Sequence, residues 1–87
     1  QRRRIDAIDA QLVALLAERA RVVRAIWDEK ERRGAPLRDP QREAAIQADL
    51  AELARQHGLE PAAVAAIFAH IVGVDLHSGL RAGQPTT

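Results

Sequence analysis

Two basic residues interrupt the apolar face of the first helical segment, where hydrophobic side chains would be expected. On a helical wheel, Arg19 lies at the centre of this face, one turn from Leu15 and Val22. Lys30 lies on the same face, one turn beyond Ile26. Because a buried charge without a partner is very costly, each cation must meet a protein carboxylate or a bound anion. The spacing of Arg19 and Lys30 therefore predicts an inward-facing site for an anionic ligand.

Further charged residues extend the apolar faces of the three helical segments. Arg2 precedes the first face by one turn, and the others lie in the second and third segments: Asp39, Arg42, Glu43 and Asp75. Arginine presents forked donors that match carboxylate or phosphate groups, and carboxylates accept bonds from hydroxyl or amino groups. The excess of cations over carboxylates at these positions suits a small dianion, such as a dicarboxylate that carries one hydrogen-bond donor.

An explanation without a ligand stays open for the same residues. An internal salt bridge from Arg19 to Glu43 or Asp75 would satisfy the buried charge. Long side chains near helix ends, such as Lys30, can extend to water. Asp39 can serve only as a helix cap.

The composition excludes several kinds of chemistry. The chain has no cysteine, and its three histidines, His57, His70 and His77, lack the spacing of metal ligands. Few hydroxyl side chains are present, and the sequence shows no recognisable pairing of a nucleophile with an activating base. We therefore expect catalysis without a metal or another cofactor, through positioning and electrostatic stabilisation.

The charge balance also limits the partners. The 13 basic and 12 acidic residues give a formal net charge of +1, and the basic residues form no single face, so we expect no nucleic-acid partner. No run of about 18 apolar residues is present, which predicts no membrane span. The absence of cysteine fits a reducing compartment, and we expect a cytoplasmic location.

The elements that must position these charges are all helical. The first segment, from about Arg2 to Arg33, contains no Gly or Pro and ends at Gly34-Ala35-Pro36. Asp39-Pro40 predicts the start of a second helix that runs to about His57, and Glu60-Pro61 predicts the start of a third that ends near Gly79. We expect one all-α domain over residues 1–80 and a frayed tail over residues 81–87.

The length of the first helix predicts a partner. A helix of about 30 residues is about 45 Å long, whereas a compact chain of this size is roughly 30 Å across. Its apolar face continues along the part that must overhang the rest of the chain. A second copy related by a two-fold axis is the simplest cover, so we predict an obligate, intertwined homodimer.

The sequence resembles the all-helical class of chorismate mutases over most of its length, from about Arg2 to Asp75. Three stretches carry the resemblance: Arg4 to Asp9 (RIDAID) with Leu12, Leu15 to Arg19 (LLAER), and Pro36 to Glu43 (PLRDPQRE). The resemblance implies the rearrangement of chorismate to prephenate, the first step of the phenylalanine and tyrosine branch of aromatic amino acid biosynthesis from the shikimate pathway. That reaction is pericyclic and needs no cofactor.

The resemblance also implies residue roles. Arg19 would bind one substrate carboxylate, Arg2 would reach the other from the opposite protomer, and Lys30 would bond the ether oxygen and a carboxylate. Glu43 and Asp39, the latter largely through its backbone, would hold the ring hydroxyl. Arg42 would line the pocket.

The third segment departs from the family pattern. Gly79 stands where the family usually has a glutamine or glutamate donor to the ether oxygen, and Asp75 replaces a serine that helps to bind a carboxylate. Asp75 could instead contact an amino group of a related substrate. Alternatives are therefore a 4-amino-4-deoxychorismate mutase, an isochorismate-pyruvate lyase, or a helical dimerisation or regulatory module without catalysis.

Overall fold

The computed structural model describes residues 1–36 and 39–76, with side chains up to position 74. Its three α-helices are α1 (Arg2–Arg33), α2 (Pro40–Gln56) and α3 (Pro61–Leu76). The described residues contain no strand, which confirms the all-α prediction. The expected tail over residues 81–87 and the departure at Gly79 lie outside the described residues.

Local signals end the first helix where the sequence predicts. Gly34 adopts a left-handed conformation with φ 68°, which a residue without a Cβ adopts at little cost. The backbone N–H of Ala35 then bonds to the carbonyl of Lys30 at 2.9 Å, and that of Gly34 bonds to Glu31 at 3.1 Å. These bonds satisfy carbonyls that the last turn of a helix leaves open.

The second and third helices begin with side-chain caps. Asp39 Oδ1 accepts hydrogen bonds from the backbone N–H groups of Gln41 at 3.1 Å and Arg42 at 3.3 Å, and Pro40 occupies the first helical position. Glu60 Oε1 accepts a bond from the N–H of Ala62 at 3.3 Å in the same way. These caps fix the start of the helix that carries Glu43.

The single chain has almost no core of its own. Helices α2 and α3 pack against each other, whereas α1 approaches them less closely. Within the described ranges, only Ala20 and Ala54 are buried. The radius of gyration is 15.0 Å, against about 12 Å for a compact chain of this length. The long axis of 47 Å matches the length of α1, about 48 Å at 1.5 Å per residue.

Large apolar side chains remain uncovered along α1. More than half of the surface of Ile5, Ile8, Leu12, Leu15 and Val22 is exposed, and Ile26 is nearly as open. Their spacing of three and four residues places them on one continuous flank of the helix. These six residues define the exposed flank of α1.

Candidate active site

Residues of all three helices line one cleft of about 340 Å³. It is lined by Arg19 of α1, by Glu43, Ile46 and Gln47 of α2, and by Ala69, Val72 and Gly73 of α3. Its volume falls at the lower end of the range for small-molecule sites, about 300–1,000 Å³. The cleft therefore has room for a small ligand, and an arginine and a glutamate are among its lining residues.

The apolar face of α1 is divided into a packed flank and an exposed flank. Leu16, Ala20, Val23 and Trp27 recur at spacings of four, three and four residues, and these side chains are at least half-covered within the chain. Arg19 is half-buried and lies in the row of the exposed flank, four residues after Leu15 and three before Val22. The sequence placed Arg19 at the centre of one apolar stripe. In the structure, that stripe is divided, and Arg19 stands on its exposed part.

Glu43 reaches the same cleft from the first turn of α2. Its position there also favours a negative charge, because the N-terminal end of a helix carries partial positive charge. Glu43 is half-buried like Arg19, and both residues have an interaction partner. This arrangement is compatible with two roles for the charges. They can pair within the protein, or they can bind a ligand in the cleft.

Lys30 lies on the same side of α1 as Arg19 but does not line the cleft. It is half-buried in the last turn of the helix. Eleven residues separate it from Arg19, a rise of about 16 Å, and their directions on the helix differ by only about 20°. Both cations therefore lie on one face of α1. Of the two, Arg19 lines the cleft and Lys30 does not.

Three other predicted residues do not line the cleft in the single chain. Arg42 and Asp39 are exposed, and the Asp39 carboxylate is used as the cap of α2. Arg2 is exposed at the first position of α1, about 25 Å along the helix from Arg19, which is too far to reach the cleft of its own chain. Asp75 belongs to α3, but its side chain lies outside the described part.

Three residues of the cleft were not predicted from the sequence: Gln47, Ala69 and Gly73. Helical periodicity predicts which residues share a face but not which residues of another helix lie opposite. Gly73 did carry a signal, because it is the one glycine among the described residues that lies within a helix rather than at a helix end. A glycine in this position is costly for the helix, which is a local sign of a special role.

A second, smaller cleft of about 170 Å³ lies between α2 and α3. Its lining is apolar except for the imidazole of His57, and it includes Leu50, Leu53, Leu59, Val64 and Phe68. No carboxylate, lysine or arginine lines it. This second cleft offers no group for the chemistry that the first cleft suggests.

The described residues lack the features of two other classes. They hold no cluster of three or more His, Asp or Glu side chains that could bind a metal ion. None of the described helices combines the length and apolar character that a bilayer span requires. The fold and the larger cleft define an all-helical protein whose cleft is lined by one arginine and one glutamate among apolar and amide side chains.

The chain belongs to the chorismate mutase type II family, whose model matches residues 1–74. A chorismate mutase of Methanocaldococcus jannaschii is 32% identical over 59 residues, which cover 68% of this chain and 60% of that relative. The match thus spans less than two thirds of the relative's length. No solved structure was found to match the chain. These findings confirm the family resemblance, and they do not favour the alternative activities.

Proposed function

We propose that this protein is a chorismate mutase, which rearranges chorismate to prephenate within a single bound molecule. The observation that carries the proposal is that the half-buried Arg19 and Glu43 line one ligand-sized cleft, in a chain of this family. During the reaction, the ether C–O bond breaks while a C–C bond forms, and no proton or electron is exchanged. The protein has to fold the substrate and stabilise charge at the ether oxygen.

The charges of the site suit these two tasks. Arg19 binds one carboxylate through its forked donors, and Lys30, on the same face of α1, approaches the ether oxygen and stabilises its developing negative charge. Glu43 accepts a hydrogen bond from the ring hydroxyl. Asp39 holds the same hydroxyl, largely through its backbone. Arg42 and Asp75 border the bound molecule.

The second substrate carboxylate requires a second cation. Among the described residues that line the cleft of one chain, Arg19 is the one cation. Arg2 of a second copy meets this requirement in the homodimer that we propose. Arg19 lies in the row of the exposed flank of α1, between Leu15 and Val22, so a copy that covers this flank also borders the cleft. In such a dimer Arg2 of the second copy approaches Arg19, whereas Arg2 and Arg19 of one chain lie about 25 Å apart along the helix.

The exposed area supports this dimer. Six large apolar side chains of the exposed flank of α1 remain about half-exposed or more in the single chain. A contiguous apolar surface of this kind marks an interaction site, and a second copy of the chain would cover it. A cytoplasmic location, expected from the absence of cysteine, also stays a prediction.

The proposal is tested by following chorismate consumption through its ultraviolet absorbance, with no added metal or cofactor and with a chelator present. The Arg19→Ala variant should lose about 10²-fold or more in kcat/KM while it retains the helical circular dichroism and the mass of the wild type. Arg21→Ala is the matched control, because Arg21 is an exposed arginine on the opposite side of α1. It should retain wild-type turnover.

Two outcomes would contradict the proposal. Folded wild-type protein that consumes no chorismate above the uncatalysed background excludes this substrate, and parallel incubations with isochorismate and 4-amino-4-deoxychorismate then separate the related activities. Loss of folding in Arg19→Ala, with turnover absent from the wild type as well, identifies Arg19 as part of a structural ion pair.

A further inference from the structure

Gly73 lies inside α3, where a glycine is costly. Glycine lowers helix stability relative to alanine because it loses more backbone freedom on folding. Gly34 and Gly58 have φ values of 68° and 72°, which explain the choice of glycine at those two positions. Gly73 has no such positive φ, so its backbone conformation is open to any L-residue.

Packing within the chain does not require a glycine at this position either. A Cβ built on Gly73 meets no atom within 4 Å, apart from the backbone of its own helical turns and its chain neighbours. A glycine that allowed two helices to approach closely would place such a Cβ against the neighbouring helix. The space that a side chain at position 73 would take is therefore empty in the single chain.

That empty space belongs to the larger cleft. Gly73 lines the cleft together with Arg19 and Glu43, and Ala69 lines it one helical turn earlier. We infer that Gly73 is a specificity-determining residue: its missing side chain leaves volume that the carbon skeleton of a cyclic dicarboxylate occupies in the cleft that Arg19 and Glu43 also line. This inference rests on the proposed function and deepens it, because it identifies the wall that limits substrate size.

The inference predicts opposite effects of one methyl group on stability and on substrate binding. Gly73→Ala removes the helix cost of glycine without a steric conflict, so the melting temperature should rise by about 4–8 °C. The same methyl group takes up ligand volume, so KM for chorismate should rise about 10-fold or more. A residue with only a structural role would not change the two quantities in these directions.

The experiment compares purified full chains of the wild type and three variants. Gly73→Ala and Ala69→Leu reduce the cleft volume, while Ala63→Leu adds the volume of the second change to an exposed position of α3 that borders neither cleft. KM and kcat come from chorismate consumption, stability from thermal melting, and oligomeric mass from sedimentation velocity. KM should rise in Gly73→Ala and rise further in Ala69→Leu, and it should be unchanged in Ala63→Leu.

Each remaining outcome rejects the inference. An unchanged KM in Gly73→Ala, with an active wild type, shows that the space beside position 73 holds no substrate, and the proposed function survives. A lower melting temperature together with a lighter sedimenting species shows that a second copy packs into this space. If the wild type itself consumes no chorismate, the proposed function fails first and the inference about Gly73 fails with it.

Discussion

Truncation of Leu12 gives a direct test of the proposed homodimer. Leu12 is 53% exposed on the exposed flank of α1, seven residues before Arg19. Burying a fully exposed leucine side chain contributes about 1.5–3 kcal/mol, so covering the exposed part of Leu12 contributes about 1–1.5 kcal/mol. Two copies lose this term in Leu12→Ala, about 2–3 kcal/mol per dimer. The dimer dissociation constant should rise roughly 30- to 100-fold, because 1.4 kcal/mol corresponds to a factor of ten.

The neighbouring residue provides the matched control. Val13 is even more exposed, at 66%, but it points about 120° away from the centre of the exposed flank. Val13→Ala should leave the dissociation constant within about twofold of the wild type. Sedimentation equilibrium over a dilution series measures all three proteins. A folded wild type that is monomeric at micromolar concentration, or equal effects of the two truncations, would refute the assignment of this flank to a second copy.

Two further predictions concern the helix ends that carry the site. Lys30→Gln should lower kcat about 10²-fold or more at unchanged thermal stability, because it removes the ammonium charge that stabilises the ether oxygen in the transition state. Arg24→Gln is the control and should leave kcat unchanged, because the side chain of Arg24 pairs with Asp28 on the solvent side of α1. Equal kcat values in steady-state assays would exclude Lys30 from the reaction. Asp39→Ala should reduce the free energy of unfolding by about 1 kcal/mol through loss of the cap, measured by urea denaturation against the exposed control Asp49→Ala. A difference below about 0.3 kcal/mol would show that the cap contributes nothing.

The bounds of the helices were predictable because their signals are local. Asp39 followed by Pro40 favours a helix start through bonds that span only three residues, and the structure contains those bonds. Gly34 ends α1 through a left-handed conformation that its own lack of a side chain allows. Such interactions depend on neighbours in the chain, so they can be inferred without knowledge of the tertiary fold.

The candidate site was predictable only in part. The wheel identified Arg19 as a charge on an apolar face, and the structure brings it to one cleft with Glu43, as the internal ion-pair and ligand hypotheses both require. The helical wheel did not indicate that Gln47, Ala69 and Gly73 would also line the cleft. The roles of Lys30, Arg2, Arg42, Asp39 and Asp75 in binding stay predictions.

The sequence by itself determined three helices, their ends, and the conflict between a cation and the apolar face that surrounds it. Only the tertiary structure decided how that face is divided: Leu16, Ala20, Val23 and Trp27 pack within the chain, while the exposed flank of α1 does not. The reason is physical. Periodicity follows from the geometry of one helix, whereas the covered side of that helix depends on where α2 and α3 can pack once their connecting turns are formed.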